Sequence, residues 1–320
     1  MAASTAIDIP VIDFTPFLVD DPIGQQTVAQ SVYRACHEVG FLYLTHHGVP
    51  QSKIDQAFEQ SKQFFSLPLS QKQQIAWSTE ASNRGYIGIE RERLDEAQPG
   101  DLKEAFNVGR EVAADDISAS EQAFVVNQWP IGQDAFKATI GDFFEVCAAA
   151  ANRIFRAFAI ALNMPEDFIV NKHQSCGYTL RLLHYPPLTE PIKPGQIRAG
   201  AHSDYGTLTL LFQDDVGGLE VQLASGEWIA APSIPHGVLI NTGDLTQRWS
   251  NDVFRSTKHR VALPQGEKAR RDRYSIAFFC QPDADAEIAC FPSCQSAENP
   301  PRYAPIKSGD YLLSRLQATY

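Results

Sequence analysis

The sequence predicts a mainly β fold with flanking helices, a jelly-roll core backed by helices, and three observations lead there. After Ser175 the chain breaks into short β-rich runs divided by Pro, Gly, Asn and Asp turns. Ahead of them, one long segment repeats apolar residues at three- and four-residue steps. The opening third mixes both periods.

Taken in order, Ile9 to Phe14 reads as a short strand, and Gln25 to Val39 as an amphipathic helix with Val28, Val32, Cys36 and Val39 on one face. Phe41 to Leu44 reads as a buried strand. From Asp134 to Leu162 the stripe Phe136, Ile140, Phe143, Phe144, Cys147, Ala151 continues to Leu162 along a long helix that stops near Pro165. Strands follow at Thr179 to Tyr185, Thr207 to Phe212, Leu219 to Gln222, Trp228 to Ala230, Gly237 to Asn241, His259 to Leu263 and Tyr274 to Cys280. So many short strands suggest a sandwich or barrel, and the jelly roll is the version that houses a small-molecule site in its mouth. No repeat, low-complexity block or linker interrupts the chain.

With 44% hydrophobic and 20% charged residues over 320 positions, the composition is that of a globular protein. The 27 basic and 38 acidic residues leave a net charge of -11, which repels phosphate backbones and anionic membrane. The local exception is a short cluster of Lys268, Arg270, Arg271 and Arg273. Met1 to Pro10 lacks the features of a signal peptide, and no apolar run has the length of a membrane helix. The expectation is a soluble cytoplasmic monomer with a small-molecule substrate and neither nucleic acid nor membrane as partner. Six scattered cysteines without CxxC pairing read as reduced thiols, Cys290 and Cys294 included.

Chemistry gathers at His202, Ser203, Asp204 and at His259. Residues two apart on a strand share a face, so His202 and Asp204 can meet one metal, and the intervening strands can return His259 beside them. Two His and one carboxylate with open positions suit a non-haem Fe(II) oxygenase. On ligand identity alone, a zinc hydrolase or unrelated surface histidines are alternatives. Arg273 and Ser275 share a strand face, and a guanidinium fork plus a hydroxyl receives a carboxylate. Tyr185, in the run Arg181 to Pro186, offers another hydrogen-bonding group.

The segments IPVIDF (Ile9 to Phe14), GFLYLTHHGVP (Gly40 to Pro50), LRLLHYPP (Leu180 to Pro187), AHSDYGTLTLLFQD (Ala201 to Asp214), GGLEV (Gly217 to Val221), INTGDLTQRWSN (Ile240 to Asn251), STKHRV (Ser256 to Val261) and RYSIAFF (Arg273 to Phe279) resemble the 2-oxoglutarate and Fe(II)-dependent oxygenases of the isopenicillin N synthase-like group. The likeness covers nearly the whole chain. It implies a double-stranded β-helix, with an N-terminal α/β region (1–120) packed on an oxygenase core (121–320) that carries the long helix and a C-terminal tail. Carried over by position, it makes His202, Asp204 and His259 the iron ligands, and Arg273 with Ser275 the clamp on the distal carboxylate of 2-oxoglutarate, with Tyr185 adding a hydrogen bond. Gly48 and Gly243 suit turns, Asn241 and Asp244 suit loop hydrogen bonds, and His47 is expected to be structural.

The implied activity is a dioxygenase that hydroxylates, desaturates or cyclises a small metabolite, using Fe(II), 2-oxoglutarate and O₂, with ascorbate as a candidate reductant and succinate and CO₂ as co-products. Asp204 stands where halogenating relatives lack a carboxylate, which argues against halogenation. One alternative is a same-fold oxidase in which Arg-x-Ser grips the substrate's own carboxylate. Another is a metal- or ligand-binding protein without turnover. Candidate substrate-pocket residues are Phe106, Arg181, Phe212, Phe279 and the tail from Tyr311 to Tyr320.

Overall fold

The computed structural model describes residues 8–77, 83–94, 98–111, 126–175, 177–189 and 191–319. Strand β1 (Val11–Asp13) pairs in parallel with β2 (Phe41–Thr45), and helices α1 (Thr15–Leu18) and α2 (Pro22–Glu38) connect them. The first strand is shorter than the alternation suggests because Thr15 and Pro16 already open a helix. Asp21 caps α2 by accepting from the Ile23 N–H, with Pro22 at the first helical position, where its missing N–H costs nothing. Gly40 joins α2 to β2 at φ +78°, where a Cβ would stand 2.6 Å from the Arg255 carbonyl oxygen.

Helices α3 (Gln51–Phe65) and α4 (Leu69–Gln73) and strands β3 (Gly85–Ile87) and β4 (Glu104–Val108) lead to the long helix α5 (Asp134–Ala161). Then come β5 (Thr179–Tyr185), β6 (Ala199–His202), β7 (Leu208–Gln213), β8 (Leu219–Gln222), β9 (Trp228–Ala230) and β10 (Gly237–Thr242). Helix α6 (Asp244–Trp249), β11 (His259–Val261), β12 (Arg273–Cys280), the small pair β13 (Glu287–Ile288) and β14 (Ile306–Lys307), and helix α7 (Ser308–Thr319) finish the chain. The expected strand from His259 thus ends at Val261, two residues before Leu263.

One sheet has the order β1-β2-β10-β7-β12-β5-β4-β3 and the other β6-β11-β8-β9. This is the jelly-roll architecture with flanking helices that the strand texture predicts. The larger sheet is buried on both faces, so side-chain parity decides what each residue meets. Leu180, Leu182, Leu210, Phe212, Ile276 and Phe278 join Phe143, Phe144 and Ile154 of α5 in one core. Leu183, Tyr185, Leu211, Ala277 and Phe279 pack with Leu219, Val221 and Val261 of the smaller sheet in the other.

Candidate active site

His202 closes β6, His259 opens β11, and the two stand opposite one another in the antiparallel ladder. Their ring centroids are 4.3 Å apart. Asp204 sets Oδ1 3.9 Å from His202 Nε2 and 3.6 Å from His259 Nε2. One ligand atom from each residue lies within 4.8 Å of the other two, the one such group of His, Cys, Asp or Glu among the described residues.

The remaining polar atoms of these three residues are occupied. His202 Nδ1 donates to the Gly200 carbonyl at 2.8 Å and His259 Nδ1 to the Thr257 carbonyl at 3.2 Å. A carbonyl only accepts, so each Nδ1 carries a proton and each Nε2 is the ring nitrogen turned to the site. Asp204 Oδ2 accepts from Thr209 Oγ1 at 2.5 Å and from Asn241 Nδ2 at 2.7 Å, leaving Oδ1 to face the imidazoles. Burial, reinforced by His259, holds His202 well below the usual imidazole range and therefore neutral. Burial also pushes the Asp204 carboxyl upward, but the two imidazoles and the Asn241 and Thr209 hydrogen bonds outweigh it and keep the group ionised. Neutral imidazoles and an ionised carboxylate are the forms that bind a divalent metal, so the donor set fits one. Gly243 lies against the site: a Cβ there would stand 2.9 Å from the Asp204 carbonyl oxygen. Asn241 corrects the expectation of a loop residue, because it sits inside β10 and reaches Asp204.

A cavity between the sheets opens onto these residues and is also lined by Arg273, Ser275 and Tyr185. Arg273 is 1% exposed, yet its Nε has no hydrogen-bond partner in the protein. One Nη donates to Ser275 Oγ at 3.3 Å and the other to Gln213 Oε1 at 2.9 Å, while the guanidinium carbon lies 4.6 Å over the Tyr185 ring. A buried guanidinium with unspent donors beside a hydroxyl fits an anionic carboxylate.

Arg181 and Phe279 line the same cavity. Phe106 and Phe212 do not: both have the opposite parity and lie in the helix-side core, Phe106 against Phe64 and Phe136, and Phe212 against Phe143. Their strands present Asn107, Thr209 and Leu211 to the cavity instead. From the tail, Leu312 and Leu316 of α7 line the cavity. Tyr311 donates to Asp244 Oδ2 at 2.9 Å, and the Arg315 guanidinium lies 4.9 Å over Tyr205. His47 is buried outside the metal-ligand group, accepting from the Val49 N–H at 3.3 Å, and burial lowers its pKa to about 4.

Asn83, Glu92, Lys103, Asn107, Tyr205 and Gln281 line the cavity although the sequence did not single them out. The available signal is a polar residue set within an apolar strand, as Asn107 is between Phe106 and Val108. Arg181 Nη2 lies 2.5 Å from Glu92, and Lys103 pairs with Glu92 at 3.2 Å and with Asp101. Asn107 Nδ2 donates to Asn83 Oδ1 at 2.7 Å, while Asn107 Oδ1 and Gln281 Oε1 are buried without a hydrogen-bond partner in the protein.

Comparison with known proteins identifies the family. Residues 9–131 match the family described as non-haem dioxygenase in morphine synthesis N-terminal, and residues 166–282 match the 2OG-Fe(II) oxygenase superfamily. Proline hydroxylase buaE of Petromyces alliaceus is 34% identical over 98% of this chain and 100% of its own length. The 2-oxoglutarate-Fe(II) type oxidoreductase hxnY of Emericella nidulans is 32% identical over 97% of this chain and 90% of its own. A full-length Neurospora crassa protein, whose crystal structure is a complex with alpha-KG and thymine, is 37% identical with a TM-score of 0.89, covering 99% of this chain and 98% of that one.

Proposed function

This chain belongs to the 2OG-Fe(II) oxygenase superfamily, and from that premise we propose that His202, Asp204 and His259 hold its iron while Arg273 and Ser275 hold the far carboxylate of 2-oxoglutarate. The protein is a non-haem iron, 2-oxoglutarate-dependent oxygenase acting on small metabolites. The observation that carries the residue assignment is three mutually close ligand atoms beside a buried, incompletely satisfied guanidinium in one cavity. Iron and 2-oxoglutarate, when bound, supply the O₂-dependent oxidation that releases succinate and CO₂.

The protein's own residues do the rest. Tyr185 supports the Arg273 fork from beneath, so the fork meets a carboxylate in a fixed plane. Asp204 would offer the metal an oxygen where halide transfer needs a vacant position, which favours hydroxylation or desaturation. Apolar walls from Leu183, Leu211, Leu219 and Leu316 exclude water from the reacting centre.

The substrate proposed is a neutral, planar nitrogen heterocycle of nucleobase size. In the cavity wall, Arg181 and Lys103 are already matched by Glu92 and Asp101, which disfavours a charged substrate. Asn107 Oδ1 and Gln281 Oε1 ask for N–H or O–H donors, and Tyr205 and Phe279 contribute aromatic surface. The thymine held by the Neurospora crassa relative is a molecule of this kind. The test loads anaerobic protein with Fe(II) and 2-oxoglutarate, admits air, and measures succinate with thymine, uracil, free proline or no substrate, each with and without ascorbate. Succinate release in step with oxidation of a pyrimidine supports the reading. Stimulation by proline alone would overturn the substrate class, and oxidation without any 2-oxo acid would reassign Arg273 to the substrate.

A further inference from the structure

His184 belongs to the helix-side face of β5, on the opposite side of the sheet from the cavity that Tyr185 lines. Its Nδ1 lies 2.7 Å from Glu104 Oε1 on β4, and its Nε2 lies 2.7 Å from Asp272 Oδ1, one residue before Arg273. The imidazole thus bridges a carboxylate on β4 and one at the threshold of β12. Glu104 is held ionised: burial opposes this, but donors from His184, Lys72 Nζ at 2.8 Å and Tyr86 OH at 2.5 Å outweigh it. The imidazole stacks on Tyr274 at 4.8 Å and also meets the Phe65 ring at 5.4 Å. The ionisable groups around it are therefore Glu104, Asp272 and Tyr274, with Lys72 and Tyr86 behind Glu104 and Asp214 bonded to the Tyr274 N–H.

We infer that His184 is a positioning residue for 2-oxoglutarate: its imidazole ties Asp272 to Glu104 and so fixes the start of β12 that carries Arg273. Tyr185 and Arg273 are register partners, as are His184 and Tyr274, so the tie and the carboxylate grip occupy opposite faces of the same two strands. Without the imidazole, Asp272 loses its contact at 2.7 Å. Asp272, 47% exposed at its side chain, is the partner that swings into water, because Glu104 stays held by Lys72 and Tyr86. Arg273 then loses its anchored neighbour, and 2-oxoglutarate binding weakens. The inference rests on Arg273 gripping the distal carboxylate.

The test is anaerobic calorimetric titration of full-length, Fe(II)-loaded protein with 2-oxoglutarate, and separately with pyruvate, a 2-oxo acid without the distal carboxylate. His184→Gln and Asp272→Ala should each raise the Kd for 2-oxoglutarate roughly tenfold over wild type, whereas that for pyruvate should move much less. Asp272, being half exposed, gives a variant whose folding is not in question. Arg273→Lys should weaken 2-oxoglutarate binding but not pyruvate binding. Wild-type affinity for 2-oxoglutarate in His184→Gln or Asp272→Ala, or equal weakening for both acids, would overturn the role of His184. An unchanged Kd in Arg273→Lys would instead overturn the grip, and with it the route through Arg273.

Discussion

Thr209 and Asn241 occupy the oxygen of Asp204 that does not face the imidazoles, and this decides how well Asp204 can serve a metal. Without Asn241 the carboxylate can rotate and share its charge between the two oxygens. Asn241→Leu should therefore weaken Fe(II) binding by roughly 10-fold or more, measured by metal titration, with the thermal midpoint little changed. His202→Ala and His259→Ala should lose stoichiometric Fe(II) altogether, since each removes one donor from a set of three. If either retained wild-type turnover, the ligand assignment would be wrong. The ligand group was legible in the sequence because HxD sets two donors two residues apart, although β6 ends at His202 and Asp204 follows on the segment beyond it rather than on the same strand face. Asn241 was not, because in the run Ile240, Asn241, Thr242, Gly243 an amide before a glycine has the look of a turn.

Elements bring in what no residue motif could, and parity is the clearest case. In β4, β7 and β12 the two faces are both buried, so an apolar residue gives no sign of which face it takes. Phe106 and Phe212 went to the helices, and the polar interruptions Asn107 and Arg181 were the better guide to the cavity. Helix α7 closes one side through Leu312 and Leu316, with Tyr311 bonded to Asp244. Removing residues from Ser308 onward should leave Fe(II) and 2-oxoglutarate binding near wild type but raise the substrate KM by about tenfold and uncouple succinate from product, because water enters the cavity. His173 gives a stability prediction at this same scale. It joins the turn after α5 to Thr207 ahead of β7, with Nδ1 2.7 Å from the Ile169 carbonyl and Nε2 2.8 Å from Thr207 Oγ1. Burial lowers its pKa to about 4 from an ordinary 6.5, so between those values the unfolded chain binds the proton and the folded one does not. Stability is thus full above about pH 6.5 and falls on acidification toward pH 4, by up to about 3 kcal/mol from this group. Urea unfolding across this window should show a smaller loss for His173→Gln than for wild type, and parallel losses would contradict the argument.

At the scale of the whole molecule, the expected boundary near residue 120 meets a sheet that runs across it. Strand β4 pairs with β5, and β2 pairs with β10, so the N-terminal region supplies both flanks of the larger sheet around β10, β7, β12 and β5. It also supplies α2 and α3, which pack on α5, and it lends Asn83, Glu92, Lys103 and Asn107 to the cavity. The sequence made the order of elements legible across this boundary but not the pairing, because the partners of β2 and β4 lie far along the chain and strand pairing leaves no local signal. Residues 121–320 expressed alone would expose the unpaired edges of β10 and β5, together with the face of α5 that α2 and α3 cover. That fragment should aggregate or remain without fixed tertiary packing, while the full chain should unfold in one cooperative transition that far-ultraviolet circular dichroism and tryptophan fluorescence report together. Co-expression with residues 1–120 should restore solubility and 2-oxoglutarate binding, since the paired strands need no covalent link. A soluble, sharply unfolding 121–320 fragment that binds 2-oxoglutarate as tightly as the full chain would show instead that the N-terminal strands are an accessory cover, that Asn83, Glu92, Lys103 and Asn107 serve the substrate side alone, and that the tie through Glu104 is dispensable.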